Sequence, residues 1–231
     1  MALPRIVSWI TALALACAPA IARAERPLSG EIDLLELRAG SGADHIAMES
    51  TFTLGRDPDH LVVKIDGSDG NPVFDSLQVQ ALYSRKIGSF SVLAGGRHDF
   101  RSSGDLSYAS LGVEVTMASW LEGEHYAYLS RDGDLTGAAK LVANWDLARR
   151  FRLEPRIQLG WSAQVVPAER LASGLTDLEL SARLRRKLNT NFDIYVGAIH
   201  RRLLGRTRVL ARGAGDGPTS SSVIVGAGFR F

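Results

Sequence analysis

Imidazole and thioether are the side chains that suit soft and borderline transition metals. His45, His60, His98, His125, His200, Met48 and Met117 are therefore the first residues to weigh in this chain. Spacing brings few of them together. His45 and Met48 are close in sequence but of opposite parity in an extended strand, so they converge only if "AGSGADH" bends the backbone. His125 follows Glu122 and Glu124, again with mismatched parity to both. His45, Met48 and His125 are thus candidate metal ligands with no ligand-spacing motif behind them. His98-Asp99 looks like a catalytic dyad, yet strand neighbours point to opposite faces and cannot readily share a proton. His60 falls in the turn "RDPDH", while His98 and His200 share a face with apolar neighbours, where an interfacial aromatic is expected. No Gly-x-Ser-x-Gly elbow and no His-x-Ser pair on one strand face supports a hydrolase. The chain reads as a non-enzyme.

The charged residues form a more regular set. In "SFSVLAGGRHDF", Phe90, Val92, Ala94, His98 and Phe100 oppose Ser91, Leu93, Arg97 and Asp99. In "SYASLGVEVTM", Ala109, Leu111, Val113 and Val115 oppose Tyr108, Ser110, Glu114 and Thr116. The period is two, which is the period of strands. About twelve such runs are predicted, near 29–38, 45–55, 60–66, 74–86, 89–101, 105–117, 120–131, 135–148, 150–164, 175–188, 191–203 and 220–231. Arg97, Asp99, Glu114, Glu122, Glu124, Arg156, Asp177, Glu179 and Arg183 all lie opposite an apolar stripe. They form either an ion-pair network filling a narrow interior or a polar path for ions.

Two architectures place charges opposite apolar residues. A soluble antiparallel sandwich is charged outside and apolar within. A transmembrane antiparallel up-and-down β-barrel is apolar toward lipid and polar toward its lumen. Three features favour the barrel. The runs are mostly ten or more residues, longer than the usual strand and right for a tilted spanning one. Long connections such as "VVPAERLASG" and "LLGRTRVLARGAGDGP" alternate with short ones such as "IG" and "NTN". Aromatic residues gather at run ends, as in Phe90, Phe100, Trp120, Phe151, Trp161 and Phe192.

Residues 1–24 read as a cleaved signal peptide, with Arg5 in the positive start, an apolar stretch from Ile6 to Ile21 and the A-x-A site Ala22-Arg23-Ala24. Residues 25–231 then form a single barrel domain. The segment holds Arg5, Arg23 and no acid, so the formal charge of +2 becomes 2 − 2 = 0 on its removal. It also holds Cys17, the only cysteine, so disulfides and thiolate metal sites are excluded from the remainder. A balanced charge gives no footprint for nucleic acid.

Several stretches resemble the copper resistance protein B family of the bacterial outer membrane. These are "LQVQALYSRKIGSFSVLAGG" (77–96), "GGRHDFRS" (95–102), "SRDGDLTGAAKLVANWDL" (130–147), "LEPRIQLGWSAQ" (153–164), "SGLTDLELSARLRRKL" (173–188) and "DIYVGAIHRR" (193–202). The resemblance implies an outer-membrane barrel taking part in copper resistance or homeostasis, by binding copper or passing it across the membrane. It also implies outer-membrane lipid and periplasmic copper proteins, such as a multicopper oxidase, as partners. A generic solute channel and an outer-membrane hydrolase are the alternatives. Phe231 ends the alternating run "VIVGAGFRF". A terminal aromatic in such a strand is the expected recognition signal for the barrel-assembly machinery.

Overall fold

The computed structural model describes residues 27–40, 45–68, 76–101 and 104–231. The expected signal peptide, residues 1–24, lies outside the described residues, as do residues 41–44, 69–75 and 102–103. Thirteen strands lie among the described residues: β1 Leu28–Gly40, β2 His45–Arg56, β3 Asp59–Ser68, β4 Ser76–Ile87, β5 Phe90–Arg101, β6 Leu106–Ala118, β7 Leu121–Ser130, β8 Leu135–Ala143, β9 Trp145–Ala148, β10 Phe151–Ser162, β11 Gly174–Lys187, β12 Phe192–Leu203 and β13 Thr219–Arg230. A 3-10 turn, Pro167–Glu169, and a helix α1, Gly205–Gly213, sit in the two longest described loops.

Consecutive strands pair antiparallel, β8 and β9 excepted, and β13 pairs with β1. The sheet is therefore closed. Both β8 and β9 pair with β10, so they are one span interrupted at Asn144, whose N–H donates to the Trp120 carbonyl instead. Twelve spans result, in agreement with the alternation. Closure leaves no strand edge unpaired, which hydrocarbon would not tolerate.

The outward face decides between sandwich and barrel. Leu37, Tyr83, Leu111, Leu147, Leu175 and Val223 are more than half exposed, and they lie on β1, β4, β6, β9, β11 and β13, right round the sheet. An apolar belt this continuous suits lipid and not water. At the short-turn end the belt is rimmed by Phe90, Trp120, Trp145, Phe151, Phe229 and Phe231, each about 40–50% exposed.

The seam between β13 and β1 shows how the barrel is sealed. Phe231 and Gly30 exchange backbone hydrogen bonds of 2.9 and 3.1 Å. The Phe231 ring lies over Gly30, where a Cβ would sit 2.3 Å from Cζ, and it meets Phe52 at 6.4 Å and Phe229 at 6.0 Å. Glycine here makes room for an aromatic ring that covers an otherwise bare stretch of backbone.

A bulge in β1 has larger consequences for the interior. The register against β2 shifts between Ile32 and Leu34, and against β13 between Ile32 and Leu35. The extra residue reverses the parity of the strand. Glu31 and Asp33 before it, and Glu36 and Arg38 after it, consequently all serve the inner side.

Candidate site in the barrel lumen

The interior has two halves. On the β3–β7 side, Val62, Leu82, Leu93, Tyr108, Tyr126 and Tyr128 pack into a buried cluster. The rest of the interior is ionic, and its ladder starts on these same strands. Lys64 on β3 donates to Glu114 (2.5 Å) and Glu124 (2.7 Å). Glu124 also holds Lys140 at 2.9 Å, and Lys140 reaches Glu49 at 3.5 Å. Glu49 in turn receives Arg156 at 3.2 Å. Arg156 also bonds Asp33 and, at 2.6 Å, Glu154. Arg185 closes the series, meeting Asp33 at 3.0 Å, Glu154 at 2.8 Å and Asp193 at 3.0 Å.

This ladder crosses the lumen through nine strands. It links six carboxylates (Asp33, Glu49, Glu114, Glu124, Glu154, Asp193) to four cations (Lys64, Lys140, Arg156, Arg185). Asp66 stands opposite Glu49 across the β2–β3 pairing, adding a further acid. A smaller group lies beside the ladder, where Glu36 accepts from Arg183 (2.6 Å) and Arg38 (2.9 Å). Charges as numerous as those of the ladder and the Glu36 group persist in a barrel interior only because each of them has a hydrogen-bonded partner.

The long-loop mouth is covered. Asp99 is fully buried and accepts from Arg97 at 2.6 Å and Arg101 at 2.8 Å. Arg97 lies over the Tyr128 ring at 4.3 Å. Arg101 reaches Glu169 of the 3-10 turn at 3.3 Å, although that turn belongs to the β10–β11 loop on the far wall. The same loop is tied through Gln164 to Asp134 (3.1 Å), through the Ala172 N–H to Thr207 Oγ1 (3.0 Å) and through Arg170 to Asp216 (3.3 Å). Four ties on three sides hold it across the opening.

Of the residues expected from alternation, Arg97, Asp99, Glu114, Glu124, Arg156 and Arg183 all have their charged ends in these networks. Glu179 pairs with Arg201 through a 2.9 Å bond from Nε. Asp177 accepts from Thr176 at 2.9 Å. Glu122 is exposed near the short-turn end of β7 and makes no ion pair among the described residues. Asp33, Glu36, Glu49 and Lys64 were not anticipated. The first two depend on the β1 bulge, and the mixed patterns of β2 and β3 mark no clear polar face.

The imidazoles fall elsewhere. Trp161 Nε1–H donates to His125 Nε2 at 3.0 Å, and the two rings stack at 5.9 Å. His125 is exposed on the membrane side, with that nitrogen already engaged. His98 packs edge-on against Phe100 at 4.4 Å and bonds Ser107 through Nδ1 at 2.8 Å. His60 sits 3.3 Å from Asp57 beside the β2–β3 turn. Lys86 holds the Asp57 carboxyl below its ordinary range by a hydrogen bond. Met48 shares a side of β2 with the exposed Ile46, and Met117 is half exposed. The backbone of His45 pairs with Arg38, and its side chain lies outside the described residues.

A resident copper centre does not fit this donor set. Among the described residues no three His, Cys, Asp or Glu side chains converge to hold a metal ion. The lumen offers carboxylate oxygens already committed to arginine and lysine, not the imidazole and sulfur that retain copper.

Comparison with known proteins agrees with the architecture. The chain is 28% identical over 197 residues to a copper resistance protein B homolog of Pseudomonas syringae pv. tomato, covering 84% of this chain and 66% of the relative. It is 26% identical over 203 residues to copper resistance protein B of Escherichia coli, covering 87% and 68%. The chain thus spans about two thirds of the length of these curated relatives. Among solved structures it resembles a NanC porin in fold, with a TM-score of 0.55 at 13% identity over 89% of this chain and 100% of that one. The family described as "Copper resistance protein B precursor (CopB)" matches residues 28–231. With that match covering the whole closed sheet, the chain belongs to the copper resistance protein B family and is a β-barrel of the outer membrane.

Proposed function

We propose that this barrel serves copper tolerance as a non-catalytic cation path, with copper ions as cargo and not as a resident cofactor. The observation that carries this reading is the acid excess of the lumen ladder, where six carboxylates face four cations. Fixed negative charge between low-dielectric walls raises the local concentration of cations. Oxygen ligands suit hard ions and hold copper less firmly than thiolate or imidazole would, so a copper ion meeting them exchanges readily. The tied loop across the long-loop mouth argues against a wide, permanently open solute channel.

Copper leaving at the short-turn end would meet periplasmic copper proteins, with a multicopper oxidase as a fitting acceptor. Placement of Phe231 at the seam supports recognition by the barrel-assembly machinery during insertion. A deletion strain tests the functional reading directly. Copper tolerance and cell-associated copper should change on deletion. The wild-type gene should restore both, and Glu49→Gln/Glu124→Gln should restore them incompletely. Unchanged tolerance together with unchanged cell copper in the deletion strain would sink the proposal.

A further inference from the structure

On the membrane-facing side, a groove of about 540 Å³ runs across β11, β12, β13 and β1 near the long-loop end. Ala39, Leu180, Ala182, Ala198, His200 and Val223 line it. His200 is fixed in place by Ser221, with Nδ1 and Oγ 2.7 Å apart. The small residues make the wall concave where neighbouring strands carry leucine and valine, and the depression suits an acyl chain.

Arginines follow it toward the loops. Arg202 follows His200 on the same face of β12, about 7 Å further toward the loops by strand rise. Arg208 and Arg212 lie one turn apart on α1, which begins three residues later. None of the three has an ion-pair partner among the described residues, and Arg208 Nε is buried without a hydrogen-bond acceptor. As neighbouring positive charges, Arg212 and Arg202 hold the Arg208 guanidinium below its ordinary range. The helix also exposes Val209 and Leu210 at 67% and 47%. A helix with bare cations and exposed apolar side chains at this height matches a membrane interface.

We infer that Arg202, Arg208 and Arg212 with the groove below them form a binding site for a phosphate-bearing lipid of the outer leaflet. The arginines take the phosphate as charge-assisted hydrogen-bond donors, and the groove takes one acyl chain. This surface lies outside the lumen and does not depend on copper passage.

Native mass spectrometry of the full barrel in detergent, with bis-phosphorylated lipid A as the probe, tests it. The wild-type protein should retain the lipid, and Arg202→Gln/Arg208→Gln/Arg212→Gln should weaken retention by roughly 100-fold. Ala198→Trp, which fills the groove and spares the arginines, should weaken it by about tenfold. Heat-modifiable gel mobility reports folding. Should the triple variant not fold, Arg212→Gln alone reads the same effect at about fivefold. Equal retention by the folded arginine variants, or equal retention of dephosphorylated lipid A, overturns the assignment. So does full competition by inorganic phosphate with no effect of Ala198→Trp, which would mark a free-anion site.

Discussion

Replacing Arg156 by alanine removes the cation that Asp33, Glu49 and Glu154 share. The guanidinium is only 6% exposed and Glu154 3%, so water cannot take over the lost contacts. At the effective dielectric of protein sites, each charge contact near 4 Å is worth about 4 kcal/mol before desolvation. Removing one partner of such a buried set and leaving the others in place costs about 3–5 kcal/mol in measured cases. Arg185 still covers Asp33 and Glu154, and Lys140 still covers Glu49. The expected loss for Arg156→Ala is therefore about 3 kcal/mol, at the lower edge of that range. Urea unfolding in lipid vesicles, followed by the fluorescence of Trp120, Trp145 and Trp161, measures it. Adding Glu154→Gln to Arg156→Ala should recover part of the loss, with a coupling between the two positions of about 1 kcal/mol or more. A loss below about 1 kcal/mol for Arg156→Ala, or additive effects in the double variant, would refute the view that the ladder is held by mutual charge compensation.

Other consequences can be measured independently. Gly30→Ala puts a Cβ 2.3 Å from the Phe231 ring, so the ring must leave the seam. A stability loss of about 1–3 kcal/mol and slower conversion to the heat-modifiable form are expected, with removal of Phe231 impairing membrane assembly in the same assay. Arg101→Ala cuts the tie between β5 and Glu169 of the covering loop. Single-channel recordings in planar bilayers should then show higher conductance than wild type, whereas unchanged conductance would mean that the other ties suffice. Lys86→Met removes the 2.7 Å donor to Asp57. The Asp57 carboxyl should then titrate at a higher pH than in wild type, back toward the ordinary carboxylate range, as read by NMR.

Much of this was legible from period alone. Strand number, the lipid-facing apolar rows and the polarity of the interior follow from alternation. A sheet closed in hydrocarbon has only two faces, and their chemistry repeats every second residue. Thus Arg97, Asp99, Glu124 and Arg183 could be assigned to one set without any partner being known. Parity also separated His125 from Glu124, and the stacked His125–Trp161 pair on the membrane side reflects that separation.

Tertiary structure decided what alternation cannot carry. The β1 bulge inserts one residue, reverses the parity of everything after it and brings both Asp33 and Glu36 to the inner side, where no period-two reading would find them together. Partner identity was hidden for a different reason. Arg156 meets Asp33 across 123 residues, and Arg101 meets Glu169 from the opposite wall. Such contacts depend on closure, which sets strands far apart in sequence face to face across one lumen. Alternation tells each strand which way to turn its charges. Only the closed barrel determines which charges meet.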